Sequence, residues 1–112
     1  MITEFSLPLK PLTVNQAWRG GRRFNTAKYR KFAQDVSLLI PGGTKRWTGF
    51  VEVKFIFYLE NWKRTDVDNL IKPLLDVLVA KGIIENDNLV MKITAEKKCG
   101  ENMIWVEIGD AT

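Results

Sequence analysis

Residues 50–59, FVEVKFIFYL, constrain the fold of this chain more than any other stretch. Val51, Val53, Phe55, Phe57 and Leu59 alternate with Glu52, Lys54 and Tyr58, the period of a strand with one core face and one partly wet face. Two helical patterns can cover that core face. After Asn25 or Thr26, either of which can cap a helix, Tyr29, Phe32, Ala33, Val36 and Leu39 or Ile40 recur at helical spacing, with Lys28, Lys31 and Asp35 opposite. Further on, Leu70, Leu74, Leu75, Leu78 and Val79 form a second apolar stripe that ends at Lys81 and Gly82. Pro73 lacks an N–H, which is harmless only near a first turn, so this helix is expected to begin at Asn69 or Leu70. A strand over residues 2–9 is stopped by Pro8 and Pro11, and residues 13–25, with Gly20, Gly21 and the arginines, read as a mobile loop. Two last strands, near residues 89–96 and 103–108, are expected to pair as a hairpin through KKCGEN. The order β-α-β-α-β-β, with helices packed on an antiparallel or mixed sheet, is an α+β fold. At 112 residues the chain suits one domain, 1–112, burying roughly two-thirds of its unfolded surface.

Several function classes drop out on composition. MITEFSLPLK carries an acid and only a short apolar alternation, unlike a secretory leader, and no apolar run approaches membrane-spanning length. The single cysteine, Cys99, can form no intramolecular disulfide and has no neighbour for a zinc knuckle, so a reducing cytoplasm is expected. Histidine is absent, which removes the commonest general base near neutral pH and every histidine-containing triad. Chemistry must therefore come from carboxylates, Lys, Arg or Tyr. Lys and Arg outnumber Asp and Glu by 17 to 13, and Arg19, Arg22, Arg23, Lys28, Arg30 and Lys31 follow one another with no acid between them. Folded onto one face, such a block is an electrostatic footprint for phosphates; otherwise it is a solvated helix face plus a basic loop.

The densest mixture of charge is RTDVDNLIKPLLD, residues 64–76. Asp66 and Asp68 repel each other unless a metal, a basic side chain or water lies between them. At the mouth of the second helix both can point one way, and Lys72, one turn after Asp68, can return its ammonium to that spot because helical side chains lean towards the N-terminus. Asp76, a turn further on, can hold Lys72 or reach a metal. Asp87, in the turn after Gly82, can supply a third acid. Three carboxylates at one point make a hard-oxygen site suited to Mg²⁺ or Mn²⁺ and to phosphoryl transfer; without an ion the same residues form a salt-bridge network, with Asp68 as a helix N-cap. An EF-hand is excluded, since counting from Asp66 puts Ile71 where glycine is required and Val77 where glutamate is required. The aspartyl-phosphate phosphatases place their D-x-D directly at a strand end, whereas ENWKRT intervenes here.

DVDNLIKPLLDVL, residues 66–78, resembles the pattern D-x-D-N-x-x-K-x-x-x-D-A-L of the RusA-type Holliday junction resolvases, small endonucleases of bacteria and their prophages. The agreement falls on Asp66, Asp68, Asn69, Lys72, Asp76 and Leu78, and PLTVN, residues 11–15, is similar to the family's N-terminal P-x-[S/T]-x-N. Val77 replaces the usual alanine, and Asn86 replaces the first of two adjacent acids. The resemblance implies that Asp66, Asp68 and Asp87 bind Mg²⁺, with Mn²⁺ as substitute, and that Lys72 is catalytic. It also implies a homodimer that binds four-way junction DNA and makes two symmetric, religatable cuts, with Arg19, Arg22, Arg23, Lys28, Arg30 and Lys31 holding phosphates. Trp18, Trp47 or Trp62 could stack on unpaired bases, with core or interface packing as the alternative for each. Two other functions stay open: a non-catalytic branched-DNA-binding protein, and a nuclease acting mainly on other branched DNA.

Overall fold

The computed structural model describes residues 1–20 and 24–111. Strand β1, Ile2–Leu7, opens the chain, followed by a one-turn helix α1, Val14–Ala17, and a two-residue ladder of β2, Trp18–Arg19, with β3, Phe24–Asn25. Helix α2, Ala27–Leu39, leads to β4, Val51–Leu59; helix α3, Asp68–Ala80, then leads to β5, Val90–Cys99, and β6, Met103–Asp110. The four long strands form one mixed sheet in the order β1-β6-β4-β5. The chain is α+β, as its patterning predicts.

Burial follows the period-two pattern of β4. Val51, Val53, Phe55, Phe57 and Leu59 are all buried, while Glu52 is exposed and Lys54, Ile56 and Tyr58 are half-buried. Against the covered face lie Leu70, Leu74, Leu75 and Leu78 of α3 and Phe32 and Val36 of α2, while Ile104, Val106 and Ile108 of β6 extend that face beside Phe57, Phe55 and Val53, all in one hydrophobic cluster. Of the two candidates at the end of α2, Ile40 packs against the core and Leu39 is exposed. Phe55 is fully buried at the centre of this cluster. Phe55→Ala should cost about 3–5 kcal/mol, through lost transfer energy plus the cavity left behind. Urea unfolding would show this as a lower midpoint at unchanged slope, and a loss below about 1 kcal/mol would refute it.

The expected hairpin of the last two strands does not form. β5 pairs with β4 in parallel, across the α3 connection, and β6 inserts antiparallel between β4 and β1. KKCGEN does reverse the chain, but it arches over the end of β4: Gly100 donates its N–H to the Leu59 carbonyl, and the Asn102 side-chain oxygen accepts from the Glu60 N–H. A buried central strand needs partners for the backbone groups on both its edges, so β4 separates two strands that are adjacent in sequence.

Of the segment expected to be a mobile loop, residues 13–20 and 24–25 are ordered, and residues 21–23 lie outside the described residues. Thr13 and Gln16 form a reciprocal capping box around α1, a T-x-x-Q signal readable in the sequence. Thr26, not Asn25, caps α2, accepting from the Tyr29 N–H, while Asn25 accepts from the Trp18 indole N–H. Gly82 takes a positive φ of 77° just after α3, the left-handed stop expected there. α3 itself begins at Asp68, earlier than Pro73 suggests, so that proline lies buried in the second turn. No helix among the described residues is long and apolar enough to cross a membrane.

Candidate active site

The site grows from the corner between β4 and α3. After Leu59 the chain makes a 3-10 turn, Trp62–Arg64, closed by the Arg64 N–H to the Asn61 carbonyl. Thr65 is buried and its hydroxyl donates to the same carbonyl. The helix then starts with tight i to i+3 bonds, from the Asn69 N–H to the Asp66 carbonyl and from the Leu70 N–H to the Val67 carbonyl. Asp68 is the first residue of α3 and its side chain makes no capping bond, so the expected N-cap role is not the one it plays. Its negative charge still complements the positive end of the helix dipole. Asp66 and Asp68 are both exposed. The PLTVN segment packs close by: Pro11, Thr13 and Gln16 share a small cavity with Asn61, Thr65 and Leu70.

Lys72 is the hub. Its Nζ lies 2.9 Å from Asp76 Oδ1, one turn along α3, and donates to Asp87 Oδ2 at 3.2 Å, fifteen residues on. Asp76 therefore holds the lysine, one of the two roles open to it in the sequence. Asp87 begins a short 3-10 turn, Asp87–Leu89, capped by Asn86, whose side-chain oxygen accepts from the Asn88 N–H at 3.1 Å. That bond gives Asn86 a structural task in presenting Asp87. The three acids line the entry of α3 and the turn facing it, but among the described residues no three acids converge as a ready-made metal group. Each of Asp66, Asp68 and Asp87 is exposed enough to reorient.

The basic block is distributed over several elements. Arg19 is exposed on β2, and Lys28, Arg30 and Lys31 are exposed on α2. Lys28 and Lys31 share one side of that helix, where Lys31 pairs with Asp35 at 3.1 Å. Arg30 turns back to donate to the Asn25 carbonyl at 2.8 Å. Arg22 and Arg23 lie outside the described residues.

Sequence reasoning had no signal for Lys97. From β5 its Nζ donates to the carbonyls of both Trp62 and Thr65, each at 2.7 Å, and so ties down the segment that leads into Asp66. Only the packing of β5 beside β4 brings a lysine thirty residues distant to that corner.

A sequence profile described as Endodeoxyribonuclease RusA matches residues 8–109, which hold the sheet from β6 to β5, all three helices and every candidate acid. That profile, of a class of DNA endonucleases, is thus matched by a histidine-free sheet-and-helix scaffold carrying a lysine among aspartates. Two proteins named crossover junction endodeoxyribonuclease RusA are similar in sequence. That of Aquifex aeolicus (strain VF5) is 38% identical over 48 residues, 43% of this chain and 38% of the relative, so the match takes in under two-thirds of that protein. That of Enterobacteria phage HK97 is 32% identical over 91 residues, 75% of this chain and 72% of the relative. The chain belongs to the RusA family.

Proposed function

We propose that this chain, as a single catalytic domain over residues 1–112, is a divalent-cation-dependent endonuclease that resolves four-way DNA junctions by paired, symmetric cuts. The observation that carries this reading is Lys72, held between Asp76 and Asp87 at the entry of the helix that Asp68 begins, in a member of the RusA family. Both relatives are named for crossover junctions, which supports the choice of substrate.

Asp66, Asp68 and Asp87 would hold Mg²⁺, or Mn²⁺ in its place. The donor set fits a hard cation: all three are solvent-accessible carboxylates, and Lys72 engages one oxygen of Asp87 while a carboxylate accepts through both. When bound, the ion supplies Lewis acidity at the phosphodiester and a lowered pKa for water. Lys72, oriented by two carboxylates, places a compact positive charge where negative charge grows on the phosphate or the leaving oxygen. Arg19, Arg22, Arg23, Lys28, Arg30 and Lys31 would contact phosphates away from the cut, giving affinity that is indifferent to sequence and weakened by salt. A homodimer suits the substrate, because a two-fold axis presents each active site to one equivalent strand of the junction. The bacterial cytoplasm is the expected setting, whether the chain is encoded by host or prophage.

The test is to incubate the protein with a mobile four-way junction, a linear duplex and a three-way fork, with Mg²⁺ and with chelator, and to map the cuts. Symmetric, religatable cuts in the junction alone and only with metal are expected. Binding without cutting in either Mg²⁺ or Mn²⁺ would leave a non-catalytic branched-DNA binder, and equal cutting of every branched substrate would leave a broader nuclease.

A further inference from the structure

Four tryptophans occur in this chain, and the structure separates them by environment. Trp18 and Trp47 are buried and spend their indole N–H groups inside the protein, on Asn25 and Thr3 respectively. Trp105 is half-buried in the central strand β6. Trp62 differs: 37% of it is exposed, on the 3-10 turn four residues ahead of Asp66. We infer that Trp62 is a stacking platform for an unpaired base at the branch point, and that Lys97 is the positioning residue that holds it there.

Three observations converge on this assignment. First, the platform is fixed. Lys97 Nζ bonds the carbonyl of Trp62 itself and that of Thr65, and Thr65 is buried beneath the turn. An exposed aromatic on a clamped backbone gives up little conformational entropy when a flat ligand settles on it. Second, the neighbours select a polyanion: Lys63 and Arg64 are exposed on the same turn, and Lys63 Nζ stands 5.5 Å from the Trp62 ring centre. Basic side chains interleaved with an aromatic one are the means by which proteins hold single-stranded nucleic acid, with charge on the backbone and the ring on a base. Third, the reach is right. Four residues of backbone span at most about 14 Å, comparable to four stacked nucleotides, which keeps the Trp62 backbone near enough for its ring to reach bases close to a phosphate at Asp66 and Asp68. In a continuous duplex those bases are stacked on each other, whereas at a branch point they can be unstacked. The turn therefore discriminates branched from linear DNA without reading sequence.

The inference rests on the proposed function, and its test separates the two. Wild type, Trp62→Ala, Trp62→Phe, Lys97→Met and Lys97→Arg would be titrated, in chelator so that nothing is cut, with a four-way junction and a linear duplex. Both DNAs would carry 2-aminopurine within four nucleotides of the branch or the matching position. Trp62→Ala should weaken junction binding by about 5- to 150-fold, the range for losing one stacked base, and abolish 2-aminopurine quenching, with duplex binding within twofold of wild type. Trp62→Phe should retain most of both signals. Lys97→Met should lower the junction-to-duplex ratio with its melting transition retained, and Lys97→Arg, which can still donate to both carbonyls, should restore it.

A junction preference and quenching that survive Trp62→Ala would overturn the assignment and leave the nuclease reading standing. Equal losses on junction and duplex would also overturn it, since the ring would then serve general packing. A Lys97→Met variant with an unchanged ratio would remove the positioning role. Wild-type protein that binds junction and duplex alike would overturn this inference alone, since the function it rests on is judged by which DNA is cut with metal present.

Discussion

Asp68→Asn is expected to lower strand cutting in Mg²⁺ by about a thousandfold or more while junction affinity stays within a few-fold. The size follows from losing one anionic ligand of an ion that contributes several kcal/mol to the barrier, at about 1.4 kcal/mol per factor of ten. The fold should survive, because the side chain is exposed and caps nothing, and asparagine keeps its shape. Only its favourable position at the helix start is weakened, worth about 0.3–1 kcal/mol. Single-turnover cleavage, fluorescence anisotropy and thermal melting on the same preparation would separate these effects. Cutting that persists within tenfold of wild type would remove Asp68 from the site; collapse of binding with the melting transition intact would move DNA recognition onto the acids.

Lys72→Met is expected to reduce the cutting rate by about 10²–10³, the usual cost of losing one preorganised charge at a developing anion. Here the competing explanation is specific, since a lysine between two aspartates is also an ordinary surface network. The side chains of Lys72, Asp76 and Asp87 are 30%, 23% and 50% exposed, so solvent screens the pairs and their loss should cost stability only about 0–1 kcal/mol. A variant that melts a little earlier and cuts at the wild-type rate would establish the network as the whole role of Lys72. A variant that melts almost normally and scarcely cuts would place the ammonium at the chemistry.

Local patterns in the sequence reach far into this fold because the strongest ones lie at its centre. The alternation of residues 51–59 specifies a strand with a covered face, and the spacing of Leu70, Leu74 and Leu78 specifies the helix that covers it. Lys72 and Asp76 are four residues apart on that helix, so their pairing is also legible. What escapes local reading is the choice of neighbour. KKCGEN signals a reversal without stating that β4 will lie between the two strands it joins, a choice made by which edges of β4 remain to be satisfied. The capping box of Thr13 and Gln16 was present in the sequence but is hidden inside a stretch whose glycines and arginines suggest mobility. At the site, Asp66, Asp68, Lys72 and Asp87 can be nominated from spacing. The bond that commits Asn86 to a turn is local, an Asn two residues ahead of the N–H it accepts from, whereas the clamp made by Lys97 depends on atoms brought together only by the finished sheet.

The place of β6 has a kinetic consequence. Its ladder with β1 joins Ile2 to Gly109, nearly the whole described chain, whereas β4, α3 and β5 are consecutive. Contacts so remote in sequence are slow to find, because a long loop must close before any of them forms. During folding the β4-α3-β5 unit, with Asp66, Asp68, Lys72 and Asp87 already in it, therefore has one edge of β4 open until Met103–Asp110 docks there. In that interval the exposed edge of an apolar strand is a hazard for pairing with a neighbouring chain. Weakening the docking of β6 would lengthen that exposure, so the yield of refolded protein would be governed there and not at the active site.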